Sequence, residues 1–167
     1  MRLAGAAALI LAFGMFGYAQ VQSARSRERL LGAMCSALEL LRGEITNRLT
    51  PLPDCARMLA EGGPEPCRGF FRDVYAGCGA LGEVEFSGLW SACLAALDVP
   101  EAARLALDDL GRSLGRYSAD EQRTAIDRCL EALERCLGEA RASDRQSARL
   151  RMGLSLTAGM LLAVILY

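Results

Sequence analysis

Apolar residues are massed at the two ends of the chain and periodic between them. No charged side chain occurs from Leu3 to Val21, and none from Met152 to Tyr167. Crossing a hydrocarbon core of about 30 Å takes about 20 apolar residues of helix. The first stretch meets that length. The second covers about 24 Å at about 1.5 Å per residue, extended if Leu150 joins it and Arg151 snorkels. The pattern predicts transmembrane helices at residues 1–23 and 151–167, with a domain over 24–150 between them.

The middle of the chain has helical periodicity. Leu30, Met34, Leu38, Leu41 and Ile45 recur at spacings of three and four, one face of a helix. No breaker separates them from the first apolar stretch, so one helix from about Leu3 to Arg48 is expected. Thr50 is read as the N-cap of a second helix with Pro51 at its first position. That helix buries Leu52, Cys55, Ala56 and Leu59 and stops at Gly62-Gly63-Pro64. A third aligns Cys67, Phe70, Phe71, Val74, Cys78 and Leu81. A fourth aligns Phe86, Leu89, Trp90, Cys93 and Leu97. Pro100 opens a fifth, with Ala103, Leu107, Leu110 and Leu114 inward and Arg104, Asp108 and Arg112 on the wet side. Its Gly111 and Gly115 suit close approach of another element and a helix stop. Ser118 and Glu121 form a capping box for a sixth helix, striped by Ile126, Leu130, Leu133, Leu137 and Ala140 and running on toward the last apolar stretch. The fold class is all-α: a bundle of about six helices carried by N- and C-terminal transmembrane helices.

Charge orients this layout. Arg25, Arg27 and Arg29 follow the first apolar stretch, whereas only Arg2 precedes it. Arg141, Arg145, Arg149 and Arg151 precede the last stretch, and nothing charged follows. Both asymmetries put the central domain in the cytoplasm. A cleaved signal peptide ending at Ala19 is the rival reading of the N-terminus; it makes the chain an exported, membrane-anchored binding domain containing disulfides.

Composition narrows the chemistry. The 19 basic residues are all arginine, against 20 acidic ones, for a net charge of −1. Without a basic surplus the chain is not a nucleic-acid binder. Lysine and histidine are absent, which removes P-loop, Schiff-base and His-dependent chemistries. The seven cysteines include no C-x-x-C pair and read as small buried hydrophobes in a reducing compartment. Cys129 and Cys136 share a helix face about 10 Å apart, too far to bridge. Asp108-Asp109 and Glu131 with Glu134 each have arginine at helical spacing and read as solvated ion pairs. The run Gly77–Gly82 reads as a helix-to-helix loop, and Phe70, Phe71, Tyr75, Phe86 and Trp90 as core. A cysteine enzyme working through Cys78 would need an arginine or a helix N-terminus to lower its pKa. No catalytic, cofactor or metal site is expected, and the chain is read as no enzyme.

Several stretches then carry a likeness. The segment LELLRGEITNRLTPLPDCARMLA over Leu38–Ala60, the Pro66–Phe71 stretch ending in Phe-Phe, and LGRSLGRYSADEQ over Leu110–Gln122 lie in order between the apolar ends. The chain resembles the stage III sporulation protein AB family of endospore-forming bacteria. That family usually carries aspartate where this chain has Ser118; both residues cap helices. The resemblance implies a non-enzymatic platform component of the mother cell–forespore channel, a specialised secretion-like complex required for sporulation. It implies the mother-cell membrane around the forespore as its place. It also implies a cytoplasmic domain similar to that of type II secretion platform proteins. The implied partners are the stage III sporulation ATPase AA and other channel-complex proteins, with a second copy of the chain a further candidate. The charged row Arg104, Asp108, Arg112 and Arg116 is the candidate contact surface.

Overall fold

The computed structural model describes residue 22 and residues 25–80, 85–116 and 118–166, with backbone alone for residue 80 and residues 144–166. Among the described residues every regular element is helical. Helix α1 covers 25–43 and closes in a π-helical turn, Glu44–Arg48. There follow α2 (Leu52–Gly62), α3 (Arg68–Gly77) with a 3₁₀ turn at Cys78–Ala80, α4 (Phe86–Leu94), α5 (Glu101–Ser113) and α6 (Ala119–Leu166). A compact unit spans Ser26–Leu137; from Gly138 the last helix continues as part of a separate unit.

One apolar core runs through the compact unit. Helix α1 contributes Leu30, Leu31, Met34, Leu38 and Leu41; α3 contributes Phe70, Phe71 and Val74; α5 contributes Ala103, Leu107 and Leu110; α6 contributes Ile126, Cys129, Leu130 and Leu133. Each buried leucine is worth about 1.5–3 kcal/mol relative to exposure. No described polar or charged residue is buried, so the interior is held by packing.

The centre of that packing is Trp90. Its ring meets Phe70 edge to face at 4.9 Å and Phe71 at 6.3 Å, and the two phenylalanines meet each other at 5.1 Å. The indole Nε1–H donates to the Leu107 carbonyl at 2.8 Å. Its flat face lies on Gly111, where a Cβ would stand 2.3 Å from Trp90 Cδ1. Gly111 is therefore the close-approach glycine, and Gly115, at φ +81°, is the stop.

The ends of several helices differ from the sequence pattern. Pro51, not Thr50, caps α2: its carbonyl accepts from the amides of Asp54 and Cys55, both at 3.0 Å. Thr50 instead donates its hydroxyl to Glu44 at 2.9 Å, because the π turn has already brought that carboxylate to it. In α4 the buried pair is Trp90 and Leu94, whereas Leu89 and Cys93 are half-buried. The reason is Trp90, whose ring sets the rotation of the short helix against α3 and α5. Leu81 lies outside the described residues. The Ser118–Glu121 capping box forms as the sequence predicts: the Ser118 amide donates to the carboxylate at 3.0 Å and the Glu121 amide to the serine hydroxyl at 3.4 Å.

Among the described residues no helix is long and apolar enough to cross a membrane. The first apolar stretch, 3–21, lies outside the described residues, and 152–166 is described only as helical backbone.

Candidate interaction surface

The charged row that spacing places on one face of α5 is not uniformly solvated. Its last member, Arg116, falls outside the helix, which ends at Ser113 because Gly115 turns the chain at φ +81°. Arg104 turns inward along the helix and donates to the Leu94 carbonyl at 3.3 Å and the Leu97 carbonyl at 2.9 Å. Those oxygens close the C-terminal end of α4, where carbonyls lack helical partners and a cation is favoured. Asp108 accepts a hydrogen bond from Ser91 of α4 and another from Arg112 at 2.7 Å. The Ser91 hydroxyl first, and then Arg112, hold its carboxyl below the usual aspartate range. Arg104 and Asp108 therefore stitch α5 to α4.

Arg112 and Arg116 differ from them. The Arg112 side chain is 67% exposed, and Arg116 reaches Glu85 at 3.0 Å with both side chains largely in solvent. Exposed pairs such as Arg116 with Glu85 contribute about 0–1 kcal/mol, so the Arg116 head can be redirected at little cost, whereas Arg112 faces outward while tied to the part-buried Asp108. The structure splits the four sequence-level candidates into two that hold the fold and two that face outward.

A second polar cluster was not singled out by the sequence. Arg42 of α1 donates to Asp127 of α6 at 2.7 Å, and Arg123 stands 3.9 Å from the same carboxylate. Arg42 and Arg123, with Glu39 and Asn47, border an open groove of about 290 Å³ beside the π turn. Its members lie 85 residues apart in the chain, and only the crossing of α1 with α6 brings them together.

The thiols are placed for packing. None of the seven cysteines is joined in a disulfide. Burial pushes Cys55 and Cys67 up to about 11 and Cys129 up to about 12; nearby Glu44 and Asp54 add to the shift at Cys55. Burial also raises Cys78, the opposite of what a nucleophile needs. Among the described residues no group of three His, Cys, Asp or Glu side chains is arranged to hold a metal ion.

These thiols make a pH prediction. Each is neutral when protonated, and its folded pKa lies above the ordinary 9.0. Their contribution to stability is whole below about pH 9 and is lost as pH rises through 11 to 12. The urea midpoint of the full chain should hold between pH 7 and about 9 and then fall. Cys129→Ala should start lower and fall less steeply; parallel declines in the two proteins would refute the assignment.

Comparison with known proteins agrees with the fold. A family model described as stage III sporulation protein AB matches residues 2–167. A solved structure described as stage III sporulation protein AB superposes with a TM-score of 0.64 at 22% identity, covering 72% of this chain and 97% of that one. At that identity the structural likeness is one of fold. No curated protein matches.

Proposed function

The chain belongs to the stage III sporulation protein AB family, and from that premise we propose that it is a non-enzymatic, membrane-anchored adaptor of the mother cell–forespore channel. Its spans are residues 1–23 and 151–167, and its domain over 24–150 faces the mother-cell cytoplasm. There it docks the secretion-type ATPase AA of the same machinery. The observation that carries the reading is the family match over residues 2–167. The arginines flanking both apolar ends on their inner side support the orientation.

An adaptor needs a rigid body and surface groups free to meet a partner. The core centred on Trp90 supplies the first. Arg112 on α5 and Arg116 just beyond its end supply outward charge, while Arg104 and Asp108 keep that helix in place. Purified full-length chain in nanodiscs should bind the purified ATPase in a pull-down. Paired reversal, Arg112→Glu with Arg116→Glu, should weaken capture by about threefold to tenfold, as expected for charges bordering an interface, while the melting temperature falls by only a few degrees as the pairs with Asp108 and Glu85 are lost. Failure of the wild-type chain to bind would sink the adaptor reading. Unchanged binding by the double variant would remove only the α5 surface.

A further inference from the structure

The π turn that ends α1 does something the apolar pattern does not call for. Leu49 stands four residues after Ile45, so an uninterrupted α-helix would keep it near the buried stripe. In the π turn the Leu49 amide bonds to the Glu44 carbonyl, a five-residue step that adds a residue to the turn. Leu49 is thereby carried out of the stripe. It is 72% exposed, the most exposed of the large apolar side chains described. Its backbone sits at φ 52°, ψ 34°, the left-handed region that leucine seldom occupies.

The same turn carries a second cost. The Thr46 hydroxyl is buried without a hydrogen-bond partner. Strain and an unmet polar group persist only where the surroundings impose them, and they gather at functional positions. Glu44 imposes them here, its carboxylate accepting from Arg48 at 2.8 Å and from Thr50 at 2.9 Å.

We propose that Leu49 is the apolar anchor by which the compact unit docks a soluble protein partner, its side chain entering an apolar pocket on that partner. The inference rests on the adaptor reading above and deepens it by naming the contact. Its position within the unit supports it. The turn packs beside the α5–α6 connection, since a Cβ on Gly115 would lie 3.2 Å from Leu52 Cδ1. Leu49 thus shares one end of the unit with Arg116.

Charge decides the class of occupant. Arg42 and Arg123 are paired with Asp127, and Arg48 with Glu44. With Glu39 beside Arg42 and Arg123 as the third carboxylate, these charges balance, so no surplus positive charge is offered to a nucleic acid or an anionic lipid surface. What is offered is a solvent-exposed leucine next to the paired Arg48 and Glu44, the form of an interface anchor with a polar rim.

The test measures binding of the full-length chain in nanodiscs to the purified ATPase. Leu49→Gly removes the side chain and suits the left-handed backbone; Leu49→Asn is a polar residue that tolerates it too. Both should melt no lower than wild type and bind about tenfold or more weakly, the loss typical of an anchor residue. Leu105→Ala, at another exposed leucine on α5, should bind as wild type. A loss of less than tenfold in both Leu49 variants overturns the proposal, as does an equal loss in Leu105→Ala. Leu49-dependent binding of the detergent-solubilised chain to anionic vesicles overturns it in favour of a lipid surface. No binding by wild type overturns the adaptor reading, and this contact with it.

Discussion

Gly111→Ala is expected to destabilise the protein by about 2–4 kcal/mol, although alanine is the better helix former by about 1 kcal/mol. The new methyl would meet Trp90 at 2.3 Å from Cδ1, 2.7 Å from Cγ and 2.9 Å from Nε1. The ring has nowhere to retreat. Phe70 and Phe71 hold it at their edges, and its N–H is fixed to the Leu107 carbonyl, one turn before the glycine on the same helix. Moving the indole therefore strains the aromatic cluster and lengthens that hydrogen bond together. Trp90→Ala alone should cost about 3–5 kcal/mol through the cavity it leaves. The double variant should cost less than the sum, because the alanine methyl enters space that the ring has vacated. Trp90 is the only tryptophan, so its emission reports on the site: Gly111→Ala should shift it to the red under native conditions. A Gly111→Ala protein with wild-type urea midpoint and emission would show that α4 does not lie on α5 as described.

Two adjacent glycines should respond in opposite directions. Gly63→Ala is expected to cost about 2–3 kcal/mol, because its Cβ would stand 2.3 Å from the Leu59 carbonyl oxygen. That oxygen is backbone, and it already accepts the Gly63 amide at 2.9 Å, so relief requires the last turn of α2 to open. The Gly63 carbonyl in turn accepts two hydrogen bonds from Arg68, at 3.0 and 2.9 Å. Displacing it uncouples the start of α3 from the end of α2, and Phe70 and Phe71 lie on that helix. Gly62, inside α2, has nothing within 4 Å of its Cβ position. Gly62→Ala should be neutral or stabilising by up to about 1 kcal/mol. Thermal melts of the two variants side by side decide the matter, and equal melting temperatures would contradict the geometry at Gly63.

Much of the architecture was legible because helical periodicity is a local property. The stripe Leu30, Met34, Leu38, Leu41 and Ile45 is buried where it was expected. So are Ala103, Leu107, Leu110 and Leu114 of the α5 pattern. The capping box at Ser118 formed because both its members lie within one turn. The proposed interaction surface was legible only in part. Spacing placed Arg104, Asp108, Arg112 and Arg116 on one face but could not tell which of them meets α4. That depends on where the ends of α4 fall. Leu94 was missed for the same reason, since the rotation of a short helix is set by its neighbours. Arg42 with Asp127, and the outward turn of Leu49, left no mark in the periodicity at all.

The sequence by itself determined an all-helical chain: its apolar ends, its helix order, most of its buried stripes, and a family membership that the match over residues 2–167 shows. Those follow from interactions within a few residues, where spacing and composition act directly. Tertiary structure alone decided which glycine receives the Trp90 ring, which arginines are spent on holding α4, and that the last turn of α1 widens to expose Leu49. The first two turn on how α4 packs against α5, and the third on Glu44 bonding forward to Arg48 and Thr50. Dense packing accepts one rotation and one register for each helix, and no local pattern encodes that choice.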